Sequence, residues 1–493
     1  MRRDPRPALR HGNYNMAKLL QLAVKGGRRL ASRSLYEEQT VERVAIIGGG
    51  PAGLAVGQAL AKQRIKFLLF EAGRTLAERK HDVADHLGSG IGGAGLFSDG
   101  KFSFFPSGTH LYTLEGRCRL EDAYGAIERQ LAEVGIPAPP FDPDTETSFL
   151  GTGHPMICKD YPSTYGSLAQ RNALIAAMMH EFSNLILANT RVEVIIPSPQ
   201  GYLVQSRGAD GDLREEFFTH LAIATGRFGP QALRSMMTAP IAMTDLRYEF
   251  GIRIEHPNGV GFLKAVKRPD VKYILDAACT EVRTFCTCRD GEVWMIPYGG
   301  TAALSGRSDG PPTGYSNFGL LARFGGNNLD RGRQIWADLQ QRLGSDTTAT
   351  WQPLTEFLDR PSISQALEFG KADRPWFPRQ KFSRGDVAAL LHPELYRILA
   401  ESARMLITQF PDMATPETVC IFPSVEGVGA FPTVDAALQN HSGRIWYCGD
   451  VVGRFRGLVP ALVSGHYVGA SIAACLRETA AEELHDVQTI AAQ

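Results

Sequence analysis

Apolar and polar residues follow a regular pattern near residue 44, where three predicted elements succeed one another. Residues 44–47 are uniformly apolar, which predicts a strand that is buried on both faces. Leu54, Val56 and Leu60 then recur at helical spacing, and the apolar run 66–70 predicts a second strand. A strand, a helix and a strand in this order predict a βαβ unit with parallel strands, and hence a Rossmann-like α/β fold.

Similar patterns further along the chain predict a mixed α/β architecture. Strands are predicted at 189–195, 247–255, 281–288 and 292–297, and strands that end in a turn are predicted at 221–226 and 444–450. Helices are predicted at 119–134, 167–181, 331–343, 394–409 and 458–476.

A glycine motif separates the first strand from the first helix. Its spacing is Gly-x-Gly-x-x-Gly, and an acidic residue ends the second strand. Glycines at these positions allow a tight turn, close approach of a pyrophosphate and close packing of helix on strand, while the acid accepts a hydrogen bond from a ribose hydroxyl. An acid at this position favours FAD or NAD over NADP. The predicted dinucleotide-binding residues are Gly48, Gly50, Pro51, Ala52, Gly53 and Glu71.

A second signature lies near the C-terminus. The strand 444–448, Gly449-Asp450, a glycine-rich turn and a helix resemble the second FAD signature of glutathione-reductase-like flavoproteins. This resemblance implies that Asp450 bonds a ribityl hydroxyl of the flavin and that the helix N-terminus faces the cofactor. The strand around Val192 resembles the one that contacts adenine in these folds, and Thr225-Gly226 resembles the turn that returns to the cofactor. We therefore predict FAD as the cofactor.

Three longer blocks carry a family resemblance. Residues 88–101 (GSGIGGAGLFSDGK), 250–257 (FGIRIEHP) and 284–293 (TFCTCRDGEV) resemble blocks of a poorly characterised family of FAD-dependent dehydrogenases, or NAD(P)/FAD-dependent oxidoreductases. The similarity extends from about residue 44 to 476, and it implies a cofactor without a substrate. The chain departs from the family at 448–456, where Cys448-Gly-Asp450 and Arg454-Phe-Arg456 replace its usual Gly-Glu-Gly turn.

The glycine-rich loop 88–95 and the residues after it supply candidate chemistry. Its backbone N–H groups are free to surround a pyrophosphate or the flavin edge, which makes Gly92, Gly93 and Ala94 further candidates for cofactor binding. A cation near the flavin stabilises its reduced anion, and His titrates near neutrality. Lys101 is equally well interpreted as a solvated lysine. The candidate catalytic residues are Ser98, Asp99, Lys101, His86 and Arg456.

Other polar groups give weaker signals. The pairs His81-Asp82 and Asp85-His86 lack further ligands nearby, so no metal site is predicted. Cys286 and Cys288 are predicted to be buried structural cysteines on one face of a strand. The candidate substrate contacts are Arg307, Asp309, Tyr315 and Asn317.

Because the cofactor signatures lie near both ends of the chain, the FAD-binding domain is predicted to be discontinuous. The expected segments are a basic extension (1–41), the FAD-binding domain (42–115, 185–235 and 440–478), a helical insertion (116–184), an inserted mixed α/β substrate domain (236–439) and a C-terminal tail (479–493).

Composition and charge narrow the class further. The 52 basic and 52 acidic residues balance, although residues 1–40 carry nine basic and three acidic residues, a net charge of +6. No apolar run of 18 residues is free of charges and breakers, so no membrane insertion is predicted. Eight cysteines in 493 residues favour a reducing compartment. We expect a cytoplasmic protein that does not bind nucleic acid, with organelle targeting by the basic segment as the alternative; Met16 is an alternative start. The oligomeric state stays open.

The sequence predicts an enzyme. The leading hypothesis is an FAD-dependent dehydrogenase or reductase that moves electrons between flavin N5 and a small organic substrate. No second Gly-x-Gly-x-x-Gly follows a strand, so any NAD(P)H docks transiently. The alternatives are a monooxygenase that uses O₂ and NAD(P)H, a flavoprotein that binds or modifies RNA through the basic segment, and a protein that keeps the fold without flavin.

Overall fold

The computed structural model describes residues 42–491 except 143–148, 152–155, 267, 299–300, 309, 344–347, 360–373, 375–376, 378–380 and 442. The predicted basic extension (1–41) therefore lies outside the described residues, as does Asp309. Residues from Arg43 onward form one unit by their internal contacts.

The strands are β1 (Arg43–Ile47), β2 (Lys66–Phe70), β3 (Lys101–Ser103), β4 (Phe149–Gly151), β5 (Met156–Asp160), β6 (Ser163–Tyr165), β7 (Ile186–Leu187), β8 (Arg191–Ser198), β9 (Gly201–Arg207), β10 (Leu213–Phe218), β11 (His220–Ile223), β12 (Met243–Pro257), β13 (Val271–Ala277), β14 (Thr280–Cys288), β15 (Glu292–Tyr298), β16 (Thr301–Arg307), β17 (Tyr315–Phe324), β18 (Ala349–Pro353), β19 (Phe382–Arg384), β20 (Val419–Pro432) and β21 (Ile445–Tyr447). The α-helices are α1 (Pro51–Lys62), α2 (Ala84–Gly88), α3 (Gly93–Leu96), α4 (Arg117–Glu133), α5 (Leu168–Met179), α6 (Gly229–Met236), α7 (Phe262–Ala265), α8 (Leu329–Leu343), α9 (Leu354–Asp359), α10 (Val387–Leu390), α11 (Pro393–Gln409) and α12 (Leu458–Ala491).

Five parallel strands form the Rossmann-like sheet. Their order is β21–β11–β1–β2–β7, and every neighbouring pair is parallel. The apolar β1 is central, as expected for a strand that is buried on both faces. Because the strands are parallel, the carboxyl ends of β1, β2, β11 and β21 meet at one edge of the sheet. The predicted α/β Rossmann-like fold is confirmed.

Helices α1 and α12 pack against each other, with small residues at their contact. A Cβ atom added at Gly465 in α12 would lie 2.2 Å from the Ala52 carbonyl oxygen of α1, so glycine permits this closeness. Within the described residues, the segment Leu458–Thr479 of α12 is long and apolar enough to cross a membrane, and 67% of its most apolar window is buried inside the protein. Burial of this extent is the pattern of a core helix.

A nine-stranded mixed sheet forms the second main layer. Its order is β19–β18–β20–β12–β17–β14–β13–β5–β4, and all neighbours are antiparallel except β18 and β19. Helices α8 and α11 pack on one face, where Phe250 of β12 stacks on Trp336 at 5.8 Å. Separate small sheets are formed by β8–β9–β10, by β15–β16 and by β3–β6.

The predicted elements are confirmed with a few differences. The strands at 247–255, 281–288 and 292–297 and the helices at 119–134, 167–181, 331–343 and 394–409 are all present, with ends shifted by a few residues. The last helix was expected to end at Leu476 but continues to Ala491, because residues 477–491 contain good helix formers and no Gly or Pro. The predicted C-terminal tail is therefore largely helical.

The prediction that the segment 116–184 is a helical insertion is wrong. It contains α4 and α5 but also β4, β5 and β6, and the first two extend the nine-stranded sheet. Strands of three to five residues are too short to show a period in the sequence. Strands of the parallel sheet come from all three segments that were assigned to the FAD-binding domain, and the domain boundaries stay a prediction.

Candidate functional site

The first glycine motif forms a turn between β1 and α1. Gly48 has φ +111°, a conformation that L side chains rarely adopt, and a Cβ atom at Gly53 would lie 1.9 Å from the Gly48 carbonyl oxygen. Gly50 precedes the helix without a capping side chain, and Pro51 begins it. The first N–H groups of α1 are therefore left for a ligand, which is the arrangement that dinucleotide phosphates require.

Glu71 at the end of β2 holds this turn in place. Its Oε2 accepts a hydrogen bond from the Gly49 N–H at 2.7 Å, and its Oε1 accepts from the N–H groups of Gly73 at 2.7 Å and Gly90 at 2.9 Å. A carboxylate has about four acceptor positions. Three are used by the backbone, so the predicted ribose contact must share Glu71 with this scaffolding role.

The glycine-rich loop 88–95 lies directly beside the first motif. The Gly92 N–H donates to the Gly49 carbonyl oxygen at 2.8 Å, and a Cβ at Gly93 would lie 2.9 Å from the Gly50 Cα. Ala94 is exposed one residue further on. The structure thus brings together two glycine segments that the sequence separates by about forty residues.

Arg79, which sequence reasoning missed, organises this loop. Its Nη1 donates to the carbonyl oxygens of Ile91 at 2.7 Å and Gly93 at 2.9 Å, and its Nη2 donates to that of His86. The guanidinium is buried, which lowers the pKa of Arg79 to about 10. A single arginine within the polar stretch 78–82 gives no pattern that would have revealed this role.

The C-terminal signature reaches the same place. Gly449 follows β21, and a Cβ added there would lie 2.9 Å from the Ala52 Cβ of the first motif. Asp450 is in the same turn, where its Oδ2 accepts from Arg456 Nε at 2.7 Å. Its Oδ1 is buried and has no hydrogen-bond partner among the described residues. Burial raises the pKa of Asp450 to about 6.

The other two predicted cofactor segments also border the turn. The Ala224 carbonyl oxygen would lie 2.5 Å from a Cβ at Gly48, which places Thr225 and Gly226 beside it. The Thr225 Oγ1 is buried, with no hydrogen-bond partner in the part of the chain that the structure describes. Val192 is buried in β8, just after Thr190, whose N–H donates to the Glu71 carbonyl oxygen at 2.8 Å.

These residues fit a flavin dinucleotide. Two glycine turns offer backbone N–H groups, and the buried Asp450 Oδ1 and Thr225 Oγ1 lack partners that a ligand with hydroxyl groups would supply. The donors and acceptors come from segments separated by about 400 residues. The parallel sheet brings these segments together, because the carboxyl ends of its strands lie at one edge.

Lys101 occupies a different environment from the one expected of a free catalytic lysine. Its Nζ contacts Asp99 Oδ2 at 2.9 Å and Asp270 Oδ1 at 3.2 Å, and it donates to the Thr287 carbonyl oxygen at 2.6 Å. Burial opposes its charge, but the Asp270 and Asp99 carboxylates raise its pKa above the usual value. Lys101 is neither a solvated lysine nor a proton donor near neutrality; it links β3 to the nine-stranded sheet.

The remaining catalytic candidates lie at two places: Ser98 and His86 flank the glycine-rich loop 88–95, and Arg456 follows the Gly449-Asp450 turn. Ser98 Oγ donates to the Gly95 carbonyl oxygen at 2.9 Å, and His86 Nδ1 accepts from the Lys80 N–H at 3.0 Å. Arg456 pairs with Asp450 and also with Glu426. Burial, with the neighbouring Arg227 and Arg247, lowers the pKa of Arg456 to about 9.

The candidate substrate contacts are bound into the protein itself. Asn317 Oδ1 accepts from Arg253 Nε at 2.7 Å, and the Tyr315 ring lies 3.6 Å from the Arg374 guanidinium. Arg307 is buried and donates to the His81 carbonyl oxygen. In the described residues these side chains make contacts within the protein, and their assignment as substrate contacts stays a prediction.

The cysteines and the His/Asp pairs form no metal or disulfide site in the described part of the chain. No group of three or more His, Cys, Asp or Glu residues converges there, and none of the eight cysteines forms a disulfide. Burial raises the pKa of Cys286, and raises that of Cys288 to about 11, as expected for structural thiols. A register shift between Phe285 and Cys288 interrupts the strict alternation that was assumed for this pair.

Comparison with known proteins supports the dinucleotide fold. The family profile of the NAD(P)-binding Rossmann-like domain matches residues 46–86, which run from β1 to α2. This part of the chain is therefore similar to the NAD(P)-binding Rossmann-like domain. No curated protein sequence matches it.

Several solved structures align over most of the chain. CabE, an aromatic hydroxylase from angucycline biosynthesis, is 12% identical with a TM-score of 0.38, and the alignment covers 88% of this chain and 63% of CabE. BexE, studied for oxidation during BE-7585A biosynthesis, is 12% identical with a TM-score of 0.36 over 88% of this chain and 62% of BexE. The substrate-free rebeccamycin biosynthetic enzyme REBC is 13% identical with a TM-score of 0.35 over 89% of this chain and 64% of REBC. The chain thus spans about three fifths of the length of these proteins.

Proposed function

We propose that the chain is an FAD-dependent oxidoreductase that exchanges electrons between the flavin and a small organic substrate. The observation that carries the proposal is the meeting of Gly449-Asp450 with the first glycine motif, where the buried Asp450 Oδ1 lacks a partner among the described residues. The matching family profile names NAD(P), which shares this glycine motif with FAD. The acidic turn at the second site favours the flavin, because a ribityl chain carries hydroxyl groups that a carboxylate binds.

The protein's own residues would bind and orient this cofactor. FAD, when bound, supplies the redox chemistry through its ring system. Gly50 and the N-terminus of α1 would face the pyrophosphate, and Arg79 keeps the second glycine loop in position beside them. Asp450 would accept from the ribityl hydroxyls, while Arg456 holds the carboxylate through its Oδ2.

A visible spectrum of the purified protein tests the cofactor. We expect a band near 450 nm, and we expect Asp450→Ala to weaken FAD binding roughly 10- to 100-fold, the effect of one or two hydrogen bonds to a charged group. Asp276→Ala, at an exposed position on β13, is the matched control and should retain the flavin. Absence of the band after addition of FAD, or full flavin content in Asp450→Ala, would contradict the proposal.

Anaerobic addition of NADH or NADPH then separates the reaction classes. Bleaching by either nucleotide indicates a reductase or monooxygenase, and the consumption of O₂ together with substrate distinguishes the second. If neither nucleotide bleaches the band, the organic substrate itself reduces the flavin.

A further inference from the structure

One face of the nine-stranded sheet, opposite α8 and α11, carries an unusual concentration of basic side chains. Alternate residues of a strand point to opposite faces. Val271 and Tyr273 of β13 are buried toward the helices, so Lys272 between them points to the other face. Arg283 and Phe285 of β14 alternate in the same way with the buried Val282 and Thr284.

Most basic groups on this face have acidic partners. Arg283 Nε lies 3.3 Å from Glu249 Oε1 and also pairs with Glu281. Arg247 Nε lies 3.2 Å from Glu249 Oε2. Arg247 and Arg283 therefore share Glu249, and Arg283 has Glu281 as a second partner.

Two lysines are exceptions. Lys272 has neither a hydrogen bond nor an ion pair with any described residue, and its Nζ lies 5.0 Å from the centre of the Phe285 ring. Lys159 Nζ donates to the Pro106 carbonyl oxygen at 3.1 Å and to Thr109 Oγ1 at 3.3 Å, both neutral groups. Within the described residues, neither ammonium forms a direct ion pair with a carboxylate; Asp270 and Glu249 act on Lys272, and Glu281 acts on Lys159, only from a greater distance.

The strand register sets these two charges against each other. Lys159 of β5 is directly opposite Lys272 of β13 in the antiparallel pair. Like charges in this position destabilise a sheet, and both side chains are partly buried. Two adjacent ammonium groups without a direct ion pair leave positive charge at this position that a bound anion would neutralise.

The charged face is continuous with the candidate flavin site. The Arg456 guanidinium, which is bonded to Asp450, lies 5.9 Å from the centre of the same Phe285 ring that Lys272 approaches from 5.0 Å. Phe285 therefore offers an apolar surface between the turn that would hold the ribityl chain and the two lysines.

We propose that this face binds the substrate as a carboxylate attached to a planar apolar group, with Lys272 and Lys159 holding the carboxylate and Phe285 contacting the planar part. The proposal rests on the proposed function, since it assigns the substrate class of the same flavin site. Lys272 and Lys159 are substrate-binding residues in this arrangement, and they take no part in electron transfer.

Calorimetric titration of the holoprotein in low-chloride buffer tests the proposal. The probes are benzoate and phenylacetate, with benzamide and phenylacetamide as neutral counterparts of the same shape. We expect each carboxylate to bind at least tenfold more tightly than its amide. Lys272→Met should weaken carboxylate binding at least tenfold, and Lys272→Arg should restore it to within about threefold. Lys264→Met, at an exposed position on α7, is the matched control and should bind like the wild type.

Equal affinity for carboxylates and amides, no binding of either carboxylate, or unchanged binding by Lys272→Met would overturn the proposal. Calorimetry does not depend on the flavin band, so the two proposals fail separately. A protein without flavin that still selects carboxylates through Lys272 would refute the flavin assignment and support the anion site. A protein with normal flavin but no selectivity would refute the anion site alone.

Discussion

Lys272→Met should make the ligand-free protein more stable. Burial, with the nearby Arg283, lowers the pKa of Lys272 from 10.5 to about 8; Asp270 and Glu249 oppose this effect and Lys159 adds to it. This lowering of the pKa corresponds to about 3 kcal/mol of unfavourable free energy when the lysine is charged. The cation–π contact with the Phe285 ring stabilises the charged lysine by about 1 kcal/mol and offsets part of this penalty. We therefore expect the free energy of unfolding at pH 7 to rise by about 2 kcal/mol.

The stability difference between wild type and Lys272→Met should depend on pH. Below pH 8 the lysine is charged in both the folded and unfolded states, so the full penalty applies to the wild type. Between pH 8 and 10.5 the unfolded chain binds more protons than the folded one, and the stability of the wild type rises with pH. The advantage of Lys272→Met should shrink across this range and vanish above it.

Urea denaturation at pH 7, 8, 9 and 10, on wild type and Lys272→Met, measures this difference. Lys264→Met provides the control for loss of an exposed positive charge. A variant that is less stable than the wild type at pH 7, or a stability difference that stays constant up to pH 10, would refute the reasoning. Either result would mean that Lys272 has a compensating partner in the folded protein.

Three further predictions concern the site. Gly50→Ala should leave the free energy of unfolding within about 0.5 kcal/mol, because its Cβ would lie 3.7 Å from the nearest atom, but FAD affinity should fall at least tenfold as the methyl group blocks the phosphate. Gly53→Ala should lower both the free energy of unfolding and the FAD affinity, because its Cβ would lie 1.9 Å from the Gly48 carbonyl oxygen. Equal free energies of unfolding for Gly50→Ala and Gly53→Ala would contradict this. Arg79→Ala should destabilise the protein by about 3–5 kcal/mol and release flavin, since three carbonyl groups lose their donor; a variant that melts like the wild type with full flavin content would disprove it. Lys101→Met should cost about 3–5 kcal/mol by leaving the carboxylates of Asp99 and Asp270 unpaired, so a variant that is as stable as the wild type in denaturation would argue against this pairing.

The glycine signatures were predictable because their chemistry is local. The spacing of the glycines within a few residues predicts the turn at Gly48 and the start of α1 at Pro51. The end of the second apolar run predicts the position of Glu71. The position of Gly449 against Ala52 was also predictable, since parallel strands bring their carboxyl ends to one edge.

The contacts of the charged groups were not predictable. Lys101 stands two residues from Asp99 in the sequence, but Asp270 and Thr287, which complete its environment, are 169 and 186 residues away. The opposition of Lys159 and Lys272 depends on the register between two strands, one of them within a segment expected to be helical. A one-residue shift of that register would move every side chain to the other face, and sequence periodicity in five residues cannot determine it.

The order of strands in the parallel sheet has a consequence for synthesis of the protein in the cell. β21 is an edge strand that pairs with β11, more than 200 residues earlier, and it delivers Gly449 to the first glycine turn. Translation proceeds from the N-terminus, so β1, β2, β7 and β11 leave the ribosome long before their last neighbour exists. During that interval the edge of β11 is unpaired and open to association with other chains. We therefore expect a chain that stops before residue 447 to expose the edge of β11 and to aggregate more readily than the full-length protein.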